Sequence, residues 1–499
     1  MRDFSIFPAP EYKDTVLAPL FEGFKRHHRD HLMAIHHAHG LMLAECCLLK
    51  PAELHAILAA LHDASANLDL ACLTYTGEHE DYFFWLESEL RARLGPDLAG
   101  RLHTGRSRND IDHTIFKMAL RTRLLGLLAR LETVIATLLD RATTGAATLI
   151  VAYTHGQPAQ PSTFGHYLGA LIEMLLRDAT RLLHAVETVD RCSMGAAAIT
   201  TSGFGLDRAR VADLLGFAAV QENAYGCIAA VDYVAEPYAA LKLLCLGLGR
   251  FVQDLNVWTG FETAHVRVPD AFVQISSIMP QKRNPVPVEH LRLLLSLSAG
   301  RADTVLLTLH NTPFTDMNDA EGEVQAAGYE AFDSAERALI LFEAFMAAIE
   351  IDEAKVRGHI AASCITITEV ADSLVREEGV SFRQAHEVAS ALAQRMIAAG
   401  ETLATLPMAA FTSAFAAAIG RAPAMDEDRF RVIGTPEYFV AVRTMFGGPA
   451  PAALAASLAR YTADLAAVTG ARMAHEARVA AAAAERARLV AVARFVAAN

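Results

Sequence analysis

Long runs of helical periodicity, with few residues that break them, constrain this chain more than any other feature of its sequence. Apolar residues recur at helical spacing, without strand-like alternation, through residues 111–140, 162–189, 228–261 and 286–309. Helices of this length bury their apolar stripes against one another. The alternation of strand and helix that predicts a parallel sheet does not occur along the sequence. The sequence therefore predicts an all-α fold organised around a central bundle of long helices.

The helical pattern divides into three regions. Residues 1–108 predict an N-terminal helical domain punctuated by Gly95-Pro96 and Gly100, and residues 109–351 contain the long helices. Residues 352–499 predict a C-terminal helical domain that ends in an alanine-rich amphipathic helix. A chain of 499 residues exceeds the size of one compact core, so several such regions are expected.

Composition and charge exclude several classes of protein. With 53% hydrophobic and 20% charged residues, the chain is expected to fold rather than to remain disordered. Its formal net charge of -13 argues against nucleic acid as the main partner, because a phosphate backbone requires clustered Lys and Arg. Seven cysteines without a CxxC pair or metal-ligand spacing are typical of reduced thiols in a cytoplasmic protein.

The sequence also predicts neither secretion nor membrane insertion. No apolar segment follows the start Met1-Arg2-Asp3-Phe4, as a secretion signal would require. The longest uncharged run, between Glu401 and Arg421, contains Pro407, several hydroxyl residues and many alanines, which suit a membrane span poorly. We therefore expect a cytoplasmic protein without a membrane partner.

The stretch 275–285, Ile-Ser-Ser-Ile-Met-Pro-Gln-Lys-Arg-Asn-Pro, combines two hydroxyls, two cations and an amide between apolar residues. Its two prolines fix φ and remove backbone donors, which predicts a loop of defined shape. The structural alternative is that its Ser and Asn side chains cap the helix that begins near Val286, while Lys282 and Arg283 are solvated.

A second polar stretch, residues 103–110, reads His-Thr-Gly-Arg-Ser-Arg-Asn-Asp before a long helix. Arg, Ser and Asn in a turn before a helix are usually capping and surface residues. Alternatively, the planar fork of Arg108 binds a carboxylate with both of its arms, and Ser107 and Asn109 add neutral donors.

A third stretch, residues 153–161, reads Tyr-Thr-His-Gly-Gln-Pro-Ala-Gln-Pro and places His155 in a loop shaped by Gly and Pro. A lone His is more often structural than catalytic. Here Thr154, Gln157 and Gln160 surround it with more donors than packing alone requires.

These stretches together resemble the aspartase/fumarase superfamily. Residues 275–285 are similar to its signature Gly-Ser-Ser-x-Met-Pro-x-Lys-x-Asn-Pro, with Ile275 where the family has Gly. Residues 104–110 and 154–166 resemble the argininosuccinate lyase branch in particular, as do Thr368–Leu374 and Val380–His386. The resemblance extends from about residue 70 to about residue 400.

Membership would imply a specific assembly. The family has three helical domains and forms a homotetramer with a twenty-helix core. Its active sites are composite, because the three polar stretches come from three different subunits. That arrangement would explain why one chain distributes its chemistry over positions as distant as 107, 155 and 276.

The resemblance also implies a reaction. A proton next to a carboxylate of an N-substituted aspartate is removed, and the nitrogen is then expelled to leave fumarate. Ser276 would be the general base, and Lys282 and nearby dipoles must lower the pKa of its hydroxyl. His155, paired with Glu289, would move a proton to the leaving nitrogen, although Glu289 alone suits an exposed carboxylate in a first helical turn.

The remaining implied roles concern substrate binding. Lys282 would also stabilise the negative charge that develops on the reacting carboxylate, together with Asn284. The implied binding residues are Ser107, Arg108, Asn109, Thr154, Gln157, Ser277, Met279 and Asn284. The expected partners are a small dicarboxylate, fumarate with an amine, and further copies of the chain. Neither a metal ion nor an organic cofactor is expected.

The sequence departs from the argininosuccinate lyases where they recognise arginine. Around Ala230-Val231-Asp232 the usual Arg and its preceding Asp are missing, and near Asp316-Met317 the family's Tyr, Lys, Gln and following acid are replaced. The replacements are Pro313, Thr315, Asn318 and Ala320. A polar site discriminates strongly against ligands that leave its groups unpaired, so these changes predict a different amine.

Three functional hypotheses follow. The leading one is a carbon–nitrogen lyase that acts on an N-substituted aspartate other than argininosuccinate, for example ethylenediamine-N,N'-disuccinate. The alternatives are an argininosuccinate lyase and a non-catalytic, crystallin-like structural protein. His36, His37 and His39 lie as close together in the sequence as the ligands of some metal sites. Neighbouring positions on a helix face different directions, however, which favours a structural or pocket-lining role.

Overall fold

The computed structural model describes residues 6–66 and 68–496. The stretch Met1–Phe4, from which we predicted that no secretion signal is present, lies outside the described residues. The structure is 70% helical, so the predicted all-α class is confirmed. No helix among the described residues combines the length and the apolar character that crossing a lipid bilayer would require.

The N-terminal region is a group of helices around Phe21, Ile35 and Ile57, which are almost fully buried. Its helices are α1 (Pro10–Tyr12), α2 (Ala18–His27), α3 (Arg29–Glu45), α4 (Pro51–Ala66) and α5 (Tyr82–Arg101), with a π-helical segment at Lys13–Leu17. Helix α5 is interrupted at Gly95, whose φ of 76° suits glycine and not other residues, and Pro96 starts its second part. The predicted break in this region is therefore confirmed.

The central region is a bundle of five long helices. They and the short helices between them are α6 (Arg108–Thr144), α7 (Phe164–Val189), α8 (Arg208–Leu214), α9 (Gly226–Ala229), α10 (Asp232–Trp258), α11 (Val286–Leu309) and α12 (Gly322–Ala348). Each of the four predicted long segments corresponds to a bundle helix. Their inward residues, such as Leu128, Leu241 and Phe342, are fully buried. The hydrophobic contact among them is the main stabilising term of the bundle.

Among the described residues, strands occur only in pairs, and these pairs lie in the connections between helices. They are β1 (Leu149–Thr154) with β2 (Gln157–Thr163), β3 (Arg191–Cys192) with β4 (Ala219–Val220), β5 (Val266–Arg267) with β8 (Glu350–Ile351), and β6 (Gln274–Ile275) with β7 (Arg283–Asn284). All but the parallel pair β3–β4 are antiparallel. Two 3₁₀ turns lie at Asp270–Phe272 and Asn318–Ala320.

The C-terminal region has its own core between residues 364 and 433, formed by side chains such as Leu374, Phe411 and Phe430. Its helices are α13 (Glu353–Ser363), α14 (Ile367–Glu378), α15 (Phe382–Ala399), α16 (Met408–Ile419), α17 (Glu427–Ile433), α18 (Pro436–Ala441) and α19 (Pro451–Val496). The last of these, α19, leaves that core and packs along α4, α6 and α7. The division at residues 108 and 351 remains a proposal, and within it α19 associates with the bundle.

Buried ion pairs fix α19 to the bundle. Asp190, which is fully buried, accepts a hydrogen bond of 2.7 Å from Arg121 of α6. Its second carboxylate oxygen lies 3.2 Å from Nδ1 of His475 and also binds Arg478, both on α19. A buried charge is tolerated only when it is paired and hydrogen-bonded, so Asp190 makes the docking of α19 specific.

Candidate active site

The stretch with two serines forms a loop, as predicted. Strands β6 and β7 pair Gln274 with Asn284, and residues 276–282 project between them. The side-chain amide of Asn284 donates to the backbone carbonyl of Gln274 at 3.0 Å, which closes the base of the loop. Ile275 lies in β6 with a negative φ, so the glycine of the family signature is not needed for this backbone conformation.

The hydroxyl oxygen of Ser276 accepts two backbone hydrogen bonds within this loop. The donors are the amides of Ile278 at 3.4 Å and Met279 at 3.1 Å. Amide donors aimed at an oxygen stabilise negative charge on it, as a general base of this kind requires. In the described part of the chain, no hydrogen bond or ion pair engages the ammonium of Lys282.

The loop is largely exposed on an isolated chain. Ser277, Met279 and Lys282 are exposed, and Ser276 and Asn284 are half-buried. Ile278 has 83% of its surface accessible, which is unusual for a large apolar residue. The dry surroundings that carbon-acid chemistry requires are therefore not formed around this loop by one chain.

The predicted loop around His155 is a tight hairpin turn. Thr154 of β1 pairs with Gln157 of β2, and only His155 and Gly156 connect them. Both connecting residues have positive φ, 53° and 73°, as two-residue hairpins with the right-handed strand twist demand. Thr154, His155 and Gln157 are all exposed at this tip, so their polar groups face outward from the chain.

The stretch before α6 is fixed by its own hydrogen bonds. Ser107 is the N-cap residue, its amide donates to Asp110 at 2.8 Å, and its hydroxyl donates to Asn109 at 2.6 Å. Asp110 is fully buried and also accepts from the amides of Gly195 at 2.8 Å and Ala197 at 3.1 Å. The capping role predicted as an alternative for this stretch is therefore present, and it holds the stretch rigidly.

Arg108 differs most from its expected role. Its guanidinium lies 3.3 Å from Asp112 and 3.8 Å from Glu80, and it also pairs with Asp81. We expected a free fork for a substrate carboxylate, but these side chains already engage it. The cause is local in part, since Asp112 follows Arg108 at the i,i+4 spacing that brings helical side chains together.

Arg108 and Asn109 lie on the wall of a cavity of about 320 Å³. The other wall residues are Glu80, Asp112, Asp316, Met317, Asn318 and Glu321. A smaller cavity of about 130 Å³ shares Glu80, Arg108, Asp112, Asn318 and Glu321 with it, and Phe21, Phe24 and Phe116 line its apolar side. Residues from α6 and from the segment before α12 therefore form one acid-rich recess.

The carboxyl groups of this recess lie close together, and their pKa values are shifted as a result. Burial, together with the nearby charge of Asp81, raises the pKa of Asp112 to about 6. Burial and the charges of Asp112 and Asp316 raise the pKa of Glu321 to about 8, so Glu321 is largely protonated at neutral pH. A hydrogen bond from His113 lowers the pKa of Asp316, which shares the proton of Glu321.

His113 connects the recess to the bundle interior. Its Nε2 lies 3.2 Å from Asp316, and its Nδ1 lies 2.7 Å from the hydroxyl of Tyr233. One ligand atom each from His113, Asp316 and Glu321 lies within 4.8 Å of the others, a spacing that can hold a cation. Reasoning from the sequence did not single out Asp112, His113 or Glu321, and the i,i+4 relation of Asp112 to Arg108 was the one local signal for them.

The histidine cluster of α3 lies apart from the recess, and its rings are packed inside the N-terminal region. His36 and His39 are buried, and Nε2 of His39 lies 2.9 Å from the carbonyl oxygen of Thr104. Burial lowers the pKa of His36 well below its usual value, that of His37 to about 4 and that of His39 to about 3. Neutral, packed rings agree with the structural role that we favoured.

The three predicted stretches do not meet within one chain through polar contacts. Among the described residues, no hydrogen bond or ion pair joins a predicted site residue at 107–109 to one at 154–157 or 276–289. Glu289 is exposed in the first turn of α11, and no such contact joins it to His155. The predicted site residues of each stretch are exposed or half-buried at the surface of their own region, which leaves them available to another copy of the chain.

Two family models match the chain. A lyase model covers residues 20–298, and a model described as argininosuccinate lyase C-terminal covers residues 364–441. Together they include all three polar stretches and the separate C-terminal core.

Curated relatives match over almost the full length. Argininosuccinate lyase 2 of Agrobacterium fabrum is 54% identical over 463 residues, which cover 93% of this chain and 92% of that protein. Argininosuccinate lyase of Nitrosococcus oceani is 34% identical, with 90% and 94% covered. Among solved structures, EDDS lyase in complex with formate has a TM-score of 0.87 at 26% identity, with 97% of each chain covered. The chain belongs to the argininosuccinate lyase branch of the aspartase/fumarase superfamily and is a fumarate-releasing carbon–nitrogen lyase.

Proposed function

We propose that this lyase eliminates fumarate from an N-substituted L-aspartate whose amine is not arginine, with ethylenediamine-N,N'-disuccinate as a concrete candidate. The observation that carries the proposal is the recess beside Arg108. Its wall presents Asp316, Asn318 and Glu321. In this segment the Tyr, Lys, Gln and following acid of the family resemblance are replaced by Pro313, Thr315, Asn318 and Ala320. A solved EDDS lyase variant with bound fumarate also shares this fold, with a TM-score of 0.87 at 25% identity.

In the proposed reaction, Ser276 removes the proton next to the reacting carboxylate. The amides of Ile278 and Met279 support negative charge on its oxygen. The ammonium of Lys282, which has no partner among the described residues, adds a positive field. Lys282 and Asn284 then stabilise the charge that develops on the carboxylate. His155 with Glu289 delivers a proton to the leaving nitrogen.

Substrate binding completes the proposed mechanism. Thr154, Gln157, Ser277 and Met279 hold the succinyl part from the two exposed loops, and Ser107 and Asn109 contribute from the N-terminus of α6. Arg108 assists through its position in the recess, since Glu80, Asp81 and Asp112 occupy its guanidinium. The backbone amides at this helix end favour an anion.

We further propose that the site is completed in a homotetramer. Helices α10 and α11 expose leucines that a monomer would have no reason to leave in water. Leu243 and Leu246 have 49% and 50% of their surface accessible, and Leu293 and Leu297 have 53% and 42%. Packing these rows against other copies would form the twenty-helix core and bring the three polar stretches together.

Argininosuccinate is the second candidate substrate. It is favoured by the 54% identity to a protein named argininosuccinate lyase 2, which covers 93% of this chain. Incubation of the purified protein with argininosuccinate and with ethylenediamine-N,N'-disuccinate, with fumarate followed by its ultraviolet absorbance, separates the two. Rapid turnover of argininosuccinate alone would contradict the proposed amine class, and turnover of neither compound would mean that the amine is a third one.

A further inference from the structure

Arg106, in the segment between α5 and α6, is a buried cation that no other group of the described chain engages. Only 7% of its surface is exposed, and its Nε and Nη1 are buried atoms without a hydrogen-bond partner among the described residues. Burial lowers the pKa of Arg106 to about 10, so its guanidinium remains charged at neutral pH. A buried charge without a partner is costly, because the ion has lost its water.

Two histidine nitrogens without partners lie in the same part of the N-terminal region. Nδ1 of His36 and Nδ1 of His103 are buried atoms, and neither has a hydrogen-bond partner among the described residues. The two rings lie on one aromatic side chain. The ring centroid of Phe83 is 6.1 Å from that of His36 and 5.8 Å from that of His103.

Helix α3 faces the segment that carries Arg106. His36 and His39 are three positions apart and therefore share a face of this helix. Nε2 of His39 lies 2.9 Å from the carbonyl oxygen of Thr104, two residues before Arg106. Burial, and after it the positive charge of Arg106, lowers the pKa of His103 to about 4, so this ring is neutral. A neutral imidazole can still donate one N–H group.

The nearby carboxylates do not pair with Arg106. Asp110 and Glu87 are the acids whose charge acts on it, but neither forms an ion pair with it. The carboxylate of Asp110 accepts hydrogen bonds from the backbone amides of residues 107, 195 and 197. Glu87 lies 3.3 Å from Arg91 instead. The donors of Arg106 are therefore left for another acceptor.

The chemistry of this cluster selects a negative ion. Histidine nitrogens close together are typical of metal sites, but the permanent positive charge of Arg106 opposes a cation. An anion instead neutralises the guanidinium and accepts from the histidine N–H groups. Phe83, Arg106 and His36 are each less than a tenth exposed, which favours a single-atom anion over a tetrahedral oxyanion.

We propose that Arg106, His36 and His103 bind one chloride-sized monovalent anion inside the N-terminal region. The anion accepts from Nε or Nη1 of Arg106 and from Nδ1 of both histidines. It goes beyond the lyase reaction, in which none of these three residues has a role. The anion holds α3 against the segment that leads to Ser107, the N-cap residue of α6, and so stabilises the folded chain.

Crystals of the full-length protein grown in sodium bromide test the site directly, because bromide replaces chloride and scatters X-rays anomalously. An anomalous peak is expected within hydrogen-bond distance of Nε or Nη1 of Arg106 and of Nδ1 of a histidine. A water molecule at that position, without an anomalous signal, would overturn the proposal. A peak that appears only at molar bromide would mark an adventitious ion only and would overturn it as well.

Thermal unfolding tests the site in solution. A hundredfold rise in free chloride, at an ionic strength held constant with gluconate, is expected to raise Tm by about 2–3 °C. Arg106→Met should abolish this increase, and His103→Phe should reduce it if the first variant fails to fold. Arg101→Met, which removes a half-exposed arginine at the end of α5, is the matched control and should keep the increase. A folded Arg106→Met variant with the increase of the parent would contradict the assignment.

Discussion

Replacing Glu321 with glutamine is expected to make the protein more stable in alkali and to leave its stability in mild acid unchanged. Burial and the charges of Asp112 and Asp316 raise the pKa of Glu321 in the folded state from 4.5 to about 8. A carboxyl group whose pKa is raised by folding stabilises the folded state below its unfolded pKa. That contribution is lost as the pH rises from 4.5 through about 8.

The size of the effect follows from that shift and its surroundings. A shift from 4.5 to about 8 corresponds to at most about 5 kcal/mol, at about 1.4 kcal/mol per pH unit. Partial exposure of Glu321 and the proton it shares with Asp316 reduce the expected value to about 1–2 kcal/mol. In a chain of this length that difference shifts Tm by about 1–2 °C.

Thermal unfolding at pH 5 and pH 9 checks this prediction. At pH 9 the glutamine variant is expected to melt above the parent, and at pH 5 the two should coincide, since the amide and the protonated carboxyl can both donate to Asp316. Glu323→Gln, exposed in the first turn of α12 two residues after Glu321, is the control and should show no pH-dependent difference. A Glu321→Gln variant that is no more stable than the parent at pH 9 would refute the electrostatic reasoning for the recess.

Three further predictions concern the interior, the assembly and the loop. Asp190→Ala leaves Arg121 without its buried partner and should lower the free energy of unfolding, measured in urea, by about 3–5 kcal/mol. A decrease below about 1 kcal/mol would show that apolar contact alone holds α19. Leu246→Asp with Leu293→Asp should dissociate the proposed tetramer in light scattering, and an unchanged mass would place the interface elsewhere. Ser276→Ala should reduce kcat by about a thousandfold or more without lowering Tm, and near-normal turnover would mean that another group is the base.

Local sequence patterns were sufficient to predict most of the fold. The four long segments with helical periodicity became α6, α7, α10 and α11, and the proline-bounded serine stretch became a loop between β6 and β7. Helix α12 was not singled out, although it completes the bundle. The alanine-rich last helix was predicted, but its partner Asp190 lies 285 positions from His475, a relation that periodicity does not encode.

The recess beside Arg108 also depends on contacts between distant positions that sequence periodicity does not predict. His113 and Asp316 are 203 positions apart, so their approach depends on how α6 packs against the segment before α12. The role of Arg108 was predicted from its motif alone, without the carboxylates that the fold places around it. Of these, Asp112 was within reach of sequence reasoning because of its helical spacing, whereas Glu80 and Asp81 precede a different helix.

The central claim is that active sites are assembled from loops of different subunits. Two inactive variants, Ser276→Ala and His155→Ala, can be unfolded separately, mixed in equal amounts and refolded together, with fumarate release as the assay. Random assortment of subunits in a symmetric oligomer places both intact residues in about a quarter of the sites, so about a quarter of the parent activity should return. A mixture that stays as inactive as its two components, while the refolded parent recovers fully, would contradict the account.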